Sequence, residues 1–240
     1  MKAADSGASV SARLEDLRGR HSLSERQCEQ LAALLRGLAA DEQAPTAVRD
    51  PARAVDVHLA DSLAALELDV LRGAPRIADL GSGAGFPGLA LAVALPQSAL
   101  VLVEAQARKC AFVERLRASA QIANARVVCA RAEEWTEGVA VNDVVLARAL
   151  AAQAVVVEYA APLLRVGGTL LDWRGQRNDV QERAGEHAAA RLGLERVEIR
   201  HVEPYAGARD HHLHLYRKVR ATPEGFPRRA GMAQKRPLTG

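Results

Sequence analysis

The 240-residue sequence predicts an α/β fold: a mostly parallel sheet covered by helices on both faces, preceded by a helical cap. Three observations carry this. From Arg76 onward, short apolar runs bounded by turn signals alternate with stretches of helical period. A glycine-rich turn, "GSGAG", stands between the first such run and a helix-like one. Ahead of Arg76, the apolar residues recur only at helical spacing.

Each element has its own signal. The first ten or so residues are small and polar and read as disordered. Ser24 and Gln27 have capping-box spacing, opening a helix whose Leu31, Leu34, Leu35 and Leu38 share one face. "DEQAPTAVRDP" breaks that pattern. A second helix runs from about Ala52, with Val55, Leu59, Leu63, Leu66 and Val70 as its apolar stripe, until Gly73 and Pro75 end it. Neither helix can enclose a core alone. Residues 1–73 therefore read as a cap with a flexible start, 74–220 as the core, and 221–240 as a basic tail packed on or extending from it.

Within the core, "RIADL" is a strand, residues 87–95 a helix, and "ALVLVE" a second strand. "ARKCAFVERLRAS" is helical, "ARVVCA" is a third strand, and "NDVVLARA" contains a fourth. A helix through "AQAVVVEYAAPLL", a turn "RVGG" and a strand "TLLDW" follow. After the helix "RNDVQERAGEHAAARLG" come "LERVEIRHVEPY" and "HHLHLYRKV", whose short separation predicts an antiparallel pair.

Composition narrows the function. No charge-free apolar stretch reaches the roughly 18 residues of a membrane span. The start, "MKAADSGASVSARLEDL", has no apolar region of the secretory kind. Cys28, Cys110 and Cys129 are odd in number and lack ligand spacing, which disfavours a disulfide scaffold or zinc site and suits a reducing cytoplasm. From Arg217 to Gly240 there are seven basic residues and one acid, Glu224, so this end carries +6 and the remainder −3. A basic tail on a slightly acidic body fits either a polyanion partner or a solubilising role.

Gly81, Gly83 and Gly85 fall at the carboxyl end of the first strand, where open α/β sheets bind ligands. A dinucleotide fingerprint needs glycine where Phe86 stands, and no Gly-Lys-Ser/Thr closes a phosphate loop. Both nucleotide readings are disfavoured but stay open. Glu104 closes the second strand, placed to accept both ribose hydroxyls of an adenosine ligand, whether NAD or S-adenosylmethionine (SAM). Asp79 is placed either to face a methionyl amine or to brace the turn. In "ARAEEW", main-chain groups of Ala132 and Glu133 would meet an adenine edge. Arg148, after "DVVLA", enters the same crevice, as a clamp on phosphate or carboxylate or as a plain ion pair.

These residues stand in longer stretches: "VRDPARAVDVHLADSLAAL" (48–66), "IADLGSGAGFPGLALAVALP" (77–96), "VLVEAQARKCAFVERL" (101–116), "ARAEEW", "LARAL" and "GFPRRAGMAQKRPL" (225–238). Together they resemble the RsmG family, also called GidB, bacterial methyltransferases acting on N7 of guanine 527 in 16S ribosomal RNA. The resemblance implies a class I SAM-dependent methyltransferase with a Rossmann-like seven-stranded sheet. It implies that Asp79, Gly81, Ser82, Gly83, Gly85 and Phe86 cradle the methionine part of SAM, Glu104 the ribose, and Ala132 and Glu133 the adenine, with Arg148 between cofactor and substrate. It further implies a cytoplasmic monomer acting on 16S RNA or the small ribosomal subunit, without metal or membrane. Arg228, Arg229, Lys235 and Arg236 of the basic tail are then the expected RNA contacts. Where family members carry an Asn-Leu-Thr motif this chain has Ala44, Pro45 and Thr46, which bears on how the cap shapes substrate access.

His58 and Asp61 of "HLADSL" are three apart on a helix and able to pair, and Ser62 is placed to bond back to a carbonyl. His201, His211, His212 and His214 read as core and solvent residues rather than ligands. Guanine N7 has a lone pair and no proton, so the expected chemistry is positioning, without general base or metal. An NAD-dependent oxidoreductase and an RNA-binding module without turnover are the alternatives.

Overall fold

The strands of the computed structural model, which describes residues 9–239, are β1 (Arg76–Leu80), β2 (Ala99–Glu104), β3 (Ala125–Cys129), β4 (Asn142–Arg148), β5 (Leu164–Arg174), β6 (Leu194–His201) and β7 (His212–Lys218). They form one seven-stranded sheet in the order β3-β2-β1-β4-β5-β7-β6. The first five strands run parallel. The terminal pair is antiparallel as expected, with β7 inserted between β5 and β6. Ile77, Ala78, Leu80, Val145 and Leu146 are fully buried, because helices cover both faces of the central strands.

The cap contains more helix than its apolar spacing suggests. Helix α1 (Val10–His21) is capped by Ser9, whose Oγ accepts the Ala12 N–H at 3.2 Å. The expectation of disorder for the first ten or so residues lies, for residues 1–8, outside the described residues, while Val10 is helical. Few apolar residues mark α1; it is held by Leu17, by Arg13 on Asp56 at 2.7 Å, and by Arg20 donating to the Pro204 carbonyl at 2.7 Å. Helix α2 (Glu25–Ala40) has the expected capping box between Ser24 and Gln27, with Leu31, Leu34, Leu35 and Leu38 buried.

The expected second helix is broken. It begins as α3 (Pro51–Ala54), widens into a π-turn over Val55–Ala60, resumes as α4 (Asp61–Leu63), and ends in 3₁₀ turns reaching Leu71. Widening one turn shifts every later side chain around the axis. Leu68 and Leu71 take the buried places expected of Leu66 and Val70, and His58, Asp61 and Ser62 turn inward.

Helices α5 (Gly88–Ala94) and α6 (Ala107–Ser119) pack with the cap on one face of the sheet. On the other face lie α7 (Gln153–Ala160), α8 (Asp179–Leu192) and the short α9 (Met232–Lys235). The segment "RVGG" is no simple turn: β5 begins at Leu164 and runs through it. Asn142 pairs with Leu164 but Val144 with Thr169, so the extra residues bulge, with Gly167 at φ +84°. Asn142 Nδ2 fastens the bulge by donating to the carbonyls of Gly138 and Leu163. Among the described residues no helix is long and apolar enough to cross a membrane.

Candidate cofactor and substrate site

The carboxyl ends of β1, β2 and β4 open onto one crevice. The turn leaving β1 is pinned to β2, with Gly81 N–H donating to the Val103 carbonyl at 2.8 Å. Gly81, Gly83 and Gly85 all have positive φ (66°, 58° and 93°), a region that side chains with a Cβ rarely occupy. Their surroundings differ. A Cβ at Gly81 would strike Leu150 Cδ1 at 2.5 Å, whereas one at Gly83 would meet only the Gly81 carbonyl at 3.7 Å and project into open space. Gly88, which no sequence signal singles out, is equally constrained: its Cβ would fall 2.6 Å from Asp79 Oδ2.

That clash reflects what Asp79 does. Its side chain is 1% exposed, and Oδ2 accepts the Gly88 N–H at 3.0 Å. Among the described residues Oδ1 has no partner, and neither does the buried Ser82 Oγ. Burial pushes the Asp79 carboxyl up to about 7, against the Gly88 hydrogen bond and the Arg148 charge. Glu104 bridges two loops: Oε2 accepts from Gly83 N at 3.1 Å and Oε1 from Gln106 N at 2.9 Å. Each oxygen keeps a lone pair for a further donor.

Beside this turn is a cavity of about 290 Å³ whose lining includes Gly81, Glu104, Ala132, Glu133, Leu150, Tyr159 and Gln234. It brings together the four expected cofactor residues Gly81, Glu104, Ala132 and Glu133. Asp79, Ser82, Gly83 and Gly85 lie in or under the turn, outside that lining. Phe86 faces the cap, stacked on His58 with ring centroids 5.0 Å apart. A roomier cleft of about 470 Å³ between α2 and α6, lined by Gly37, Asp41, Phe112 and Arg115, touches none of these residues. Position at the strand ends, not volume, marks the ligand crevice of such a sheet.

Arg148 ends β4 and reaches the cap. Its NH1 donates to Asp61 Oδ2 at 2.8 Å and to the Val57 carbonyl at 3.0 Å, leaving Nε and NH2 uncommitted among the described residues. Asp61 Oδ1 meets His211 Nδ1 at 2.9 Å, and the Asp61 carbonyl accepts from Trp173 Nε1 at 3.1 Å. The His58–Asp61 pair expected from helical spacing does not form, because the π-turn separates their directions. His58 Nε2 meets Thr46 Oγ1 at 3.0 Å instead, and the His58 ring, so held, stacks on Phe86 of the glycine turn. Burial, aided by the Arg148 charge, lowers His58 to about 4 and keeps the ring neutral. Ser62 Oγ donates back to the His58 carbonyl at 2.5 Å, as its spacing suggested.

The tail packs on the core. Arg228 grips Glu158 of α7 through two bonds, Nε at 2.6 Å and NH2 at 2.5 Å, although it was expected at an RNA phosphate. Gly231 N–H donates to Glu133 Oε1 at 2.9 Å, and Ala233 and Leu238 are buried. Arg229, Lys235 and Arg236 stay exposed. Among the described residues no group of three or more His, Cys, Asp or Glu could hold a metal ion; His214 is buried with Nδ1 on Gln153.

Strand order, glycine turn and the acid closing β2 define the class: a Rossmann-like, SAM-dependent methyltransferase fold. Solved structures share it. Aeropyrum pernix fibrillarin with natively bound S-adenosyl-L-methionine is 21% identical, with 66% of this chain and 76% of that one covered at a TM-score of 0.53. A SAM-dependent methyltransferase from Aquifex aeolicus is 14% identical, with 71% and 94% covered at 0.57.

The chain belongs to the RsmG (GidB) family. The family model for rRNA small subunit methyltransferase G matches residues 25–212. A ribosomal RNA small subunit methyltransferase G from Rubrobacter xylanophilus is 37% identical over 198 residues, covering 80% of this chain and 76% of the relative. One from Synechococcus elongatus is 35% identical over 224 residues, covering 90% and 91%.

Proposed function

We propose that the protein transfers a methyl group from SAM to N7 of guanine 527 in 16S ribosomal RNA. Membership of the family supports the RNA class. The observation that carries the cofactor is the crevice at the ends of β1 and β2. There, two buried acceptors without partners among the described residues, Asp79 Oδ1 and Ser82 Oγ, accompany an open glycine, and both acceptors suit an ammonium group. Gly81, Glu104, Ala132 and Glu133 suit the adenosine end.

Bound there, SAM supplies an electrophilic methyl group on a sulfonium. The chain's own residues hold and orient. Guanine N7 has no proton to lose, so no side chain is needed as a base, and alignment supplies the rate. Arg148, fixed by Asp61 and Val57 through NH1 alone, offers Nε and NH2 to a substrate phosphate or to a carboxylate. Exposed Arg229, Lys235 and Arg236 meet RNA backbone.

The test supplies SAM and small-subunit RNA, free or as particles, from cells lacking the modification. Nucleoside mass spectrometry should find 7-methylguanosine, and cleavage at alkylated guanine should place it at position 527. Arg148→Ala should depress turnover more than SAM binding. A methyl on another base would refute the substrate while leaving fold and cofactor standing.

A further inference from the structure

The C-terminal segment packs along α7 and α8 and reaches the adenosine side of the crevice. Phe226 lies under the guanidinium groups of Arg191 and Arg228, each 5.9 Å from its ring centroid. Arg228 is bound to Glu158, a carboxylate only 2% exposed on α7, and also donates to the Arg236 carbonyl at 2.9 Å. Gly231 N–H is bound to Glu133, beside the main chain of Ala132. Ala233 and Leu238 are buried in the same apolar cluster as Tyr159. With these anchors α9 is held at the rim of the 290 Å³ cavity, and the otherwise exposed Gln234 lines it together with Ala132, Glu133 and Tyr159.

We infer that Gln234 is a cofactor-binding residue, and that the tail is the outer wall of the adenine pocket rather than only an RNA-facing extension. This rests on the cofactor reading above. A primary amide presents a donor and an acceptor side by side. Adenine presents its 6-amino donor beside a ring-nitrogen acceptor, the complementary pattern. Of the charged side chains of the lining, Lys109 and Arg131 offer donors alone and Glu104 and Glu133 acceptors alone. The second amide, Gln106, stands on the ribose side, its own N–H held by Glu104. Arg228, Glu158 and Glu133 are then positioning residues: they touch the tail and set where Gln234 stands.

Calorimetry on the full chain tests this with two probes, S-adenosylhomocysteine and its analogue lacking the 6-amino group. The wild-type chain should bind the first about tenfold more tightly, a factor worth about 1.4 kcal/mol. Gln234→Leu should bind both alike, at the weaker level, with an unchanged melting temperature because the residue is exposed. Trypsin cleavage after Arg229 and Lys235 should be slowed by S-adenosylhomocysteine in the wild-type chain, and should be faster without ligand in Glu158→Gln. Wild-type affinity and unchanged preference in Gln234→Leu would overturn the assignment. A wild-type chain that binds neither probe would instead contradict the cofactor reading itself.

Discussion

Asp79 concentrates the physics of the site in one side chain. It is buried with one oxygen satisfied by Gly88 and the other bare. Burial is the largest cause of its rise to about 7 from an ordinary 3.8. Because the folded value lies above the unfolded one, the free protein loses stability as pH climbs from about 4 to 7. A ligand ammonium reverses this by stabilising the anion. SAM affinity should therefore rise from about pH 5.5 towards 7, by at most about tenfold per unit, and level off above about 7. Asp79→Asn should bind weakly with a flat profile over that window. Calorimetry across pH reads both, and a sloping profile in the Asn variant would assign the dependence elsewhere. His58, at about 4, titrates below this range.

At the scale of elements, the tail and α7 behave as one unit, and this sorts its four basic residues into two kinds. Arg228→Ala leaves Glu158 buried and unpaired, so it should cost stability, towards the low end of roughly 3–5 kcal/mol because the pair is partly open to solvent. It should leave the dependence of RNA affinity on salt unchanged. Replacing Arg229, Lys235 and Arg236 by Ala should leave stability nearly untouched. The slope of log affinity against log salt should then fall by roughly 0.7–0.9 for each phosphate that is no longer neutralised. Thermal melts and filter-binding titrations separate the two kinds. A reduced slope for Arg228→Ala in a chain of full stability would return that residue to the RNA.

The same scale shows what was legible in the sequence. "RIADL", "ALVLVE" and "ARKCAFVERLRAS" match their elements residue for residue, because central parallel strands are continuously apolar and helix periodicity is strong beside them. Helix α1 escapes a reading by pattern because its stability comes from distant partners, Asp56 and Pro204, which local spacing does not reveal. The π-turn is invisible because "VDVHLADSL" fits a regular helix equally well. With it go the true partners of His58 and Asp61, namely Thr46 on one side and Arg148 and His211 on the other. Gly81, Glu104, Ala132 and Glu133 are legible because a strand end followed by glycine or acid fixes position along the chain. Gln234 is not, since its place depends on a tail folding back across roughly a hundred residues to Glu133.

On the scale of the whole molecule, cap, sheet and tail converge on one crevice: Asp61 reaches Arg148 from the cap, the glycine turn leaves the sheet, and Gln234 approaches from the tail. The central claim is that this crevice feeds a SAM methyl group to small-subunit RNA. Gly83 tests it, since it lies in the turn leaving β1 and a Cβ there would meet no packed side chain, only the Gly81 carbonyl at 3.7 Å. Valine at its φ of +58° carries roughly 1–2 kcal/mol of backbone strain, too little to unfold the sheet. The decisive measurement is transfer of radiolabelled methyl from SAM into unmodified small-subunit RNA by wild-type and Gly83→Val protein, both confirmed folded by circular dichroism. The account predicts about one methyl per RNA for the wild-type chain and near-background transfer for the variant. Transfer by Gly83→Val at the wild-type rate, or none by either, would contradict it.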